Sequence, residues 1–555
     1  MRSTISTLPL FLSIVAAASN GTAANNSTAA SNNTAECNFS SIRWGLCDEA
    51  KVNGTLPMDC ATLRVPLDYS DPASKATILL ELARVPSAMQ PSKGSIQFNF
   101  GGPGATGRGT LAAQAAVLRN LTGGQYDLIA FDPRGTGDTL PFLCVQDDVE
   151  ATTVLQGQAS SNTTEYGVGR IWARGTIDTA RCQSTMNETG KYVNTPFAAR
   201  DLMSVVDALN EDGMLRYWGL SYGTTLGATV AAMFPNRIDK LILDGVQNPH
   251  EYYHALADFE EWTDSDKVFA GIFSTCIDAG GDLCPLASLN LTGPELEGRT
   301  WHLLEQLKSR PIPIGQYLID YPLLKGFIQQ AIYGPAGWPG LVTMLSFLFT
   351  NQTAGLEAIA TSLVPDSTTT PLDAIKLSQA LLGIHCGDRT ARAATLDDFQ
   401  PTIDRLYNIS TIMGDATIGT MSACAQWSIE PAERFQFPSS SSSPQIATSN
   451  PILIVGNTFD GHTPLISAYN VSETFEESVV MEVRGYGHAS LGLPSSCTWR
   501  TVSEYFSAGT VPEVGRICEV EAEPYGNTTW ADIFGVEVGG NGGGVSAGVP
   551  RMVRL

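Results

Sequence analysis

The sequence predicts an α/β protein with a mainly parallel, doubly wound sheet and a helical cap insertion. Three observations carry that expectation. Short apolar strands alternate with helical stretches from Ser95 to Val246, the order that builds a parallel sheet with helices on both faces. Helical spacing then takes over from about His250 to Leu382, with no parallel-strand run. The strand pattern resumes at Pro451. The chain has 555 residues, 43% apolar and only 16% charged, enough to bury a large core.

The N-terminus reads as a targeting segment. Arg2 gives it a positive start, Leu8–Ala18 is a short apolar run, and Ala16-Ala17-Ala18 supplies small residues for cleavage. That run is too short to span a bilayer. The expected division is a signal peptide (1–18), a disordered, sugar-bearing leader (19–36), an N-terminal core part (37–249), a helical cap (250–385), a C-terminal core part (386–529) and a flexible Gly-rich tail (530–555). Leu63–Tyr69 and Thr77–Val85 read as antiparallel edge strands, where Pro66 and Pro72 are tolerated. Ser95–Phe100 is a strand running into Gly101-Gly102-Pro103-Gly104. Tyr126–Phe131 is the next strand, and Asp132 and Arg134 in the loop after it are expected to pair. A helix at Pro196–Leu209 begins with proline in its first turn. Strand Met214–Leu220, helix Thr224–Phe234 and strand Ile238–Val246 follow. In the insertion, helices are expected at His254–Phe269, Trp301–Leu307, Leu323–Ile332, Leu341–Phe349 and Pro371–Leu382. Pro451–Val455 and Val479–Val483 are the late strands.

A net charge of −23 argues against nucleic acid and anionic membrane surfaces as partners. Asn-x-Ser/Thr signals recur from Asn20 to Asn527, as in an exported glycoprotein. The eleven cysteines are read as disulfides. Proximity and spacing favour Cys47–Cys60, Cys144–Cys182, Cys276–Cys284, Cys386–Cys424 and Cys497–Cys518, leaving Cys37 over. No Cys/His cluster has zinc spacing, so neither metal nor cofactor is expected. The protein is expected to be secreted, and its oligomeric state is left open.

The chemistry centres on Gly219-Leu220-Ser221-Tyr222-Gly223. An apolar strand precedes it and a small-residue helix follows, so Ser221 falls on a tight strand-to-helix turn. A serine hydroxyl needs a base and an acid to become a nucleophile. His488 lies on a loop after a late strand, between Gly487 and Ala489, and is the candidate base; His462 is its competitor. Asp460 follows the strand before it and is the candidate acid. Ser221, Asp460, His488 is a known chain order for such a triad. The backbone N–H groups of Tyr222 and Gly102 are the candidate oxyanion donors.

These pieces resemble the α/β-hydrolase superfamily. They resemble most closely the secreted tripeptidyl-aminopeptidase branch of the prolyl-aminopeptidase family. The matching stretches are Asn99–Gly104, Phe131–Gly137, Gly219–Thr224, Leu243–Val246, Gly456–Pro464 and Gly485–His488. Phe100 departs from the pattern, which has His or Pro there. The resemblance implies an α/β-hydrolase fold and a serine exopeptidase acting on free N-termini, for which the cap must offer a carboxylate to a protonated amine. Glu260 and Glu261, in the acidic-aromatic run Asp258–Asp264, are the candidates. A carboxylesterase or lipase using the same triad is the alternative. A non-catalytic binding glycoprotein on this scaffold is the remaining one, and the intact triad argues against it.

Overall fold

Ten strands form one sheet in the order β1-β2-β3-β5-β4-β6-β7-β10-β11-β12. The strands are β1 (Gly45–Leu46), β2 (Asp59–Pro66), β3 (Thr77–Val85), β4 (Ser95–Asn99), β5 (Asp127–Phe131), β6 (Leu215–Ser221), β7 (Ile238–Val246), β10 (Leu453–Phe459), β11 (Val479–Tyr486) and β12 (Ile517–Glu519). In this computed structural model the described residues are 41–48, 52, 54–157, 163–315, 317–362, 369–438 and 444–535. The expected signal peptide, the leader, Cys37 and most of the expected tail lie outside them. Residues 530–534 of that tail form a short helix, and Trp530 is buried.

The first three pairings, β1/β2, β2/β3 and β3/β5, are antiparallel. All six others in the sheet are parallel. The sequence explains the split. In β2, Leu63 and Val65 are buried while Arg64 and Pro66 are exposed, the alternation of a strand covered on one face. In β4 every residue is buried, as helices on both faces require. Successive residues of β6 therefore serve two cores. Tyr217 packs with the helices Thr195–Leu209 and Tyr222–Met233. Trp218 packs on the opposite face with the helices Gly107–Leu121 and Ser496–Ala508.

A third apolar cluster builds the helical layer that interrupts the sheet between β7 and β10. Its helices include Ser265–Ala279, Gly293–Ser309, Tyr321–Ile332 and Trp338–Thr350. Phe399 and Ile403 of the helix Leu396–Ile409 and Met421 of Ile418–Ala425 join the same cluster. It also holds a small antiparallel hairpin, β8 (Ile312–Ile314) with β9 (Tyr317–Ile319). The single helix expected over His254–Phe269 is broken. Pro249–His254 forms a short helix, Glu260–Trp262 a 3₁₀ turn, and a new helix starts at Ser265. Within the break, Asp258 turns its carboxylate inward to Arg389 at 2.7 Å.

The five expected disulfides are the ones formed. The expected Asp132–Arg134 pair is not. Asp132 turns to the first turn of helix Gly107–Leu121, accepting from Arg108 N at 3.2 Å and Arg108 Nε at 2.9 Å. Arg134 goes the other way and is fully buried. It donates to both oxygens of Asp201 at 2.7 Å and to the carbonyls of Pro66, Leu67 and Tyr192. One guanidinium thus ties the antiparallel edge to the helix Thr195–Leu209. Removing one member of a buried ion pair leaves the other uncompensated, at about 3–5 kcal/mol. Arg134→Met is therefore expected to lower the unfolding free energy by about that amount in urea titrations, whereas Arg484→Met, at the exposed Arg484–Glu519 pair, is expected to change it by less than about 1 kcal/mol.

Candidate active site

Ser221 ends β6 and caps the helix Tyr222–Met233 with φ 58° and ψ −128°. A non-glycine residue at positive φ is strained by about 1–3 kcal/mol and must be held by its surroundings. Two glycines allow the holding. A Cβ on Gly219 would lie 2.2 Å from the carbonyl oxygen of Gly223, and one on Gly223 would lie 2.3 Å from that of Asn99. Strand, turn and helix are that close only because both side chains are absent. Thr224 Oγ1 donates to Ser221 O at 2.6 Å and accepts from Gln247 N, fastening the turn to the end of β7.

The glycine loop after β4 closes on this turn. Asn99 Oδ1 accepts from Gly101 N at 3.0 Å. A Cβ on Gly101 would sit 2.7 Å from Ser221 Cβ and 3.1 Å from Tyr222 N. Gly101 is thus the residue packed against the turn, and Gly102, at φ 106°, is the next along. Among the described residues neither the Gly102 N–H nor the Tyr222 N–H has an acceptor. The latter is a first-turn amide that a helix leaves free.

Asp460 follows β10 directly, and His488 lies two residues beyond β11. The parallel registers bring Ser221 opposite Val246 and Phe459 opposite Tyr486. Gly245 of β7 packs against Ala489, where its own Cβ would come within 2.9 Å of the alanine Cβ. Ser221, Asp460 and His488 therefore all lie at the carboxyl ends of the adjacent strands β6, β7, β10 and β11, where open α/β sheets place their ligand crevices. The buried Asp460 carboxylate accepts from His462 N and Thr463 N at 2.9 Å, Thr463 Oγ1 at 2.7 Å and Ala489 N at 3.1 Å. Both its oxygens lie 3.1 Å from His488 Nδ1. Burial pushes its pKa up, but the imidazole and these donors hold it below the ordinary value. Burial likewise pushes His488 down, and Asp460 outweighs it, so His488 sits above 6.5. Neither His488 Nε2 nor Ser221 Oγ has a hydrogen-bond partner among the described residues. In unliganded enzymes this last link is often long.

His462 is not placed as a second base. Its ring stacks on Tyr333 with centroids 3.6 Å apart and meets Trp262 edge-on. Burial, with His488 beside it, pushes its pKa to about 3, so it is a neutral wedge. Only its backbone reaches Asp460. Tyr333, at the end of the cap helix Tyr321–Ile332, also packs edge-on against His488 and takes its N–H at 2.7 Å. Asn457 Nδ2 donates to Gly487 O at 2.7 Å. Asp244, at the end of β7, accepts from Ser490 N at 2.8 Å and Ser490 Oγ at 2.7 Å. Burial pushes Asp244 to about 6. Sequence reasoning missed these holders. Asp244 and Asn457 lie inside motifs used only for resemblance, and Tyr333 carried no signal.

The two cap carboxylates part ways. Glu260 accepts from Asn248 Nδ2 at 2.9 Å, Ser467 Oγ at 2.7 Å and Asn470 Nδ2, fixing its turn to the helix Leu465–Ser472. Glu261 has no hydrogen-bond partner among the described residues. Burial and nearby Asp258 push its pKa well up, and Asp460 adds to the shift. Burial pushes the Tyr333 phenol up, and the Glu261 carboxyl adds to that shift.

The α/β-hydrolase fold model matches residues 99–269, and the TAP-like protein model matches residues 410–518. A tripeptidyl aminopeptidase of Streptomyces coelicolor is 27% identical over 502 residues, 87% of each chain. Serine protease Hip1 of Mycobacterium tuberculosis is 27% identical over 497 residues, 86% of this chain and 91% of that one. Carboxylesterase B of the same species is 24% identical over 493 residues, 86% and 89%. One model spans the β4–Ser221 segment and the other the strands after the cap, so this chain belongs to the α/β-hydrolase superfamily, with a TAP-like C-terminal region, and is a serine hydrolase.

Proposed function

We propose that the chain is an exported exopeptidase that releases short peptides, tripeptides in the first place, from free N-termini. Ser221 Oγ attacks the scissile carbonyl while its proton passes to His488 Nε2. Asp460 orients the imidazole and stabilises its charged form. The N–H groups of Tyr222 and Gly102 hold the oxyanion. Collapse breaks the C–N bond, and His488 gives its proton to the leaving amine. Water, activated by the same histidine, then hydrolyses the Ser221 ester and restores the hydroxyl.

The observation that carries the exopeptidase reading is Glu261, a half-buried carboxyl in the cap with no hydrogen-bond partner among the described residues and within electrostatic reach of Asp460 and Tyr333. An arriving ammonium supplies the opposite charge that ionises such a group. Glu260, already satisfied by three donors, serves as the support of that turn. The names of the tripeptidyl aminopeptidase and Hip1 relatives support peptide substrates. The carboxylesterase B relative keeps ester hydrolysis as the second reading. Five disulfides support export to an oxidising compartment.

Three substrates separate the readings: a tripeptide p-nitroanilide with a free amine, its N-acetyl counterpart, and a short-chain p-nitrophenyl ester. Cleavage of the first but not the second is the expected result, and turnover of the ester alone would favour the esterase. A charge-assisted hydrogen bond is worth about 1.5–3 kcal/mol. Glu261→Gln is therefore expected to raise KM for the free-amine peptide roughly 10- to 100-fold, leaving ester turnover within about two-fold. Equal loss on both substrates would remove Glu261 from amine binding.

The base must be unprotonated to act, so activity is present above the His488 pKa and lost as pH falls through it. With that pKa raised, the acid limb of kcat/KM is expected above pH 6.5, despite the acidic composition. A limb below 6.5 in the pH–rate profile would contradict the ion pair with Asp460.

A further inference from the structure

Tyr222 follows the nucleophile, yet its ring is buried and its phenol enters a hydrogen-bonded chain that the triad does not use. The phenol oxygen lies 2.5 Å from Thr195 Oγ1. Thr195 Oγ1 donates to Asp388 Oδ2 at 2.5 Å, and Thr195 N donates to Asp388 Oδ1 at 2.9 Å. Tyr252 OH, whose ring packs 5.8 Å from that of Tyr222, donates to Asp388 Oδ2 at 2.9 Å. All four residues are buried. Proton counting orders the chain. With Asp388 ionised, Thr195 gives its one hydroxyl proton to the carboxylate and accepts from Tyr222. The phenol is thereby pinned in position and direction.

Asp388 ends the helix Pro371–Asp388. The same helix backs the other wall of the pocket. A Cβ on Gly104 would lie 2.8 Å from Leu377 O and 3.1 Å from both Ala380 Cβ and Leu381 N. One helix therefore reaches both segments that carry the proposed donors, the glycine loop at Gly104 and Tyr222 by way of Thr195.

We propose that Asp388 is a positioning residue for the oxyanion pocket. Through Thr195 it fixes the Tyr222 ring, and with it the Tyr222 amide, while its helix backs the Gly101–Gly104 loop. The proposal rests on the reading of Ser221 as nucleophile and of Tyr222 and Gly102 as oxyanion donors. A donor must be held within about 0.5 Å of its productive place, and losing one outright costs about 10²–10³ in kcat. A donor left in place but unbraced loses a part of that.

The full-length enzyme is compared with Thr195→Val, Tyr222→Phe, the double variant and Thr195→Ser, using the p-nitrophenyl ester and a peptidyl trifluoromethyl ketone as oxyanion mimic. Thr195→Val keeps the backbone N–H bond to Asp388, so it cuts only the relay. Each single variant is expected to lower kcat about ten-fold with KM within about two-fold, and to weaken the ketone by the same factor as kcat. The double variant is expected to be no worse than either single one, since both cut one link. Thr195→Ser is expected to restore activity. Additive losses, an effect on KM alone, or an unchanged kcat with a lower melting temperature would overturn the proposal. Retention of ester turnover and fluorophosphonate labelling in Ser221→Ala would instead overturn the underlying serine reading, and the proposal with it.

Discussion

Everything at this site depends on how closely β6 approaches the helix that follows it. Gly219 faces the Gly223 carbonyl, and Gly223 faces the Asn99 carbonyl, at distances no side chain permits. That contact forces Ser221 into a conformation its own side chain disfavours. The helix start leaves its first amides unpaired beside it, as any helix does. The Gly101 loop packs against the same turn, so strand β4 shares the constraint.

The second theme is the treatment of buried carboxylates. Asp460, Asp244 and Asp388 are all buried, and each accepts several hydrogen bonds. Their charge states differ with their partners. Asp460 faces an imidazole and is pulled down. Asp388 has no cation in contact among the described residues, and burial pushes it up to about 7. Asp244, with only neutral donors in contact, is pushed up to about 6. An acid meant to stabilise an imidazolium needs the first environment, and residues that brace loops tolerate the second.

The cap is joined to the catalytic loop rather than laid over it. Tyr333 O accepts the His488 N–H, and its ring is wedged against His488 and His462. The His488 loop is thus held by one helix end. Asp258, Arg389 and His385 anchor the turn bearing Glu260 and Glu261 to the helix Pro371–Asp388 through a buried ion cluster.

Much of the framework was legible in the chain because its signals are local. The glycines around Ser221, the apolar strands and the helical spacing each act within a few residues. Thr77–Val85 and Ile238–Val246 form strands over the expected bounds. The five disulfides matched expectation because all five pairs are no more than 38 residues apart and join cysteines that are neighbours in order. The partners of charged groups were not legible. Asp132 and Arg134 are near neighbours in the chain, yet in the turn after β5 they take different partners, one Arg108 and one Asp201. Glu260 and Glu261 look equivalent in sequence, and only the packing of the helix Leu465–Ser472 satisfies one and leaves the other open. The roles of Asp388 and Tyr333 have no local trace at all. Sequence by itself determined which segments become strands, helices and the serine turn, since those follow from periodicity and backbone freedom. Which carboxylate meets which donor was decided by tertiary structure, because such contacts join separate elements, up to 246 positions apart for Asp244 and Ser490, and exist only once the sheet has closed around them.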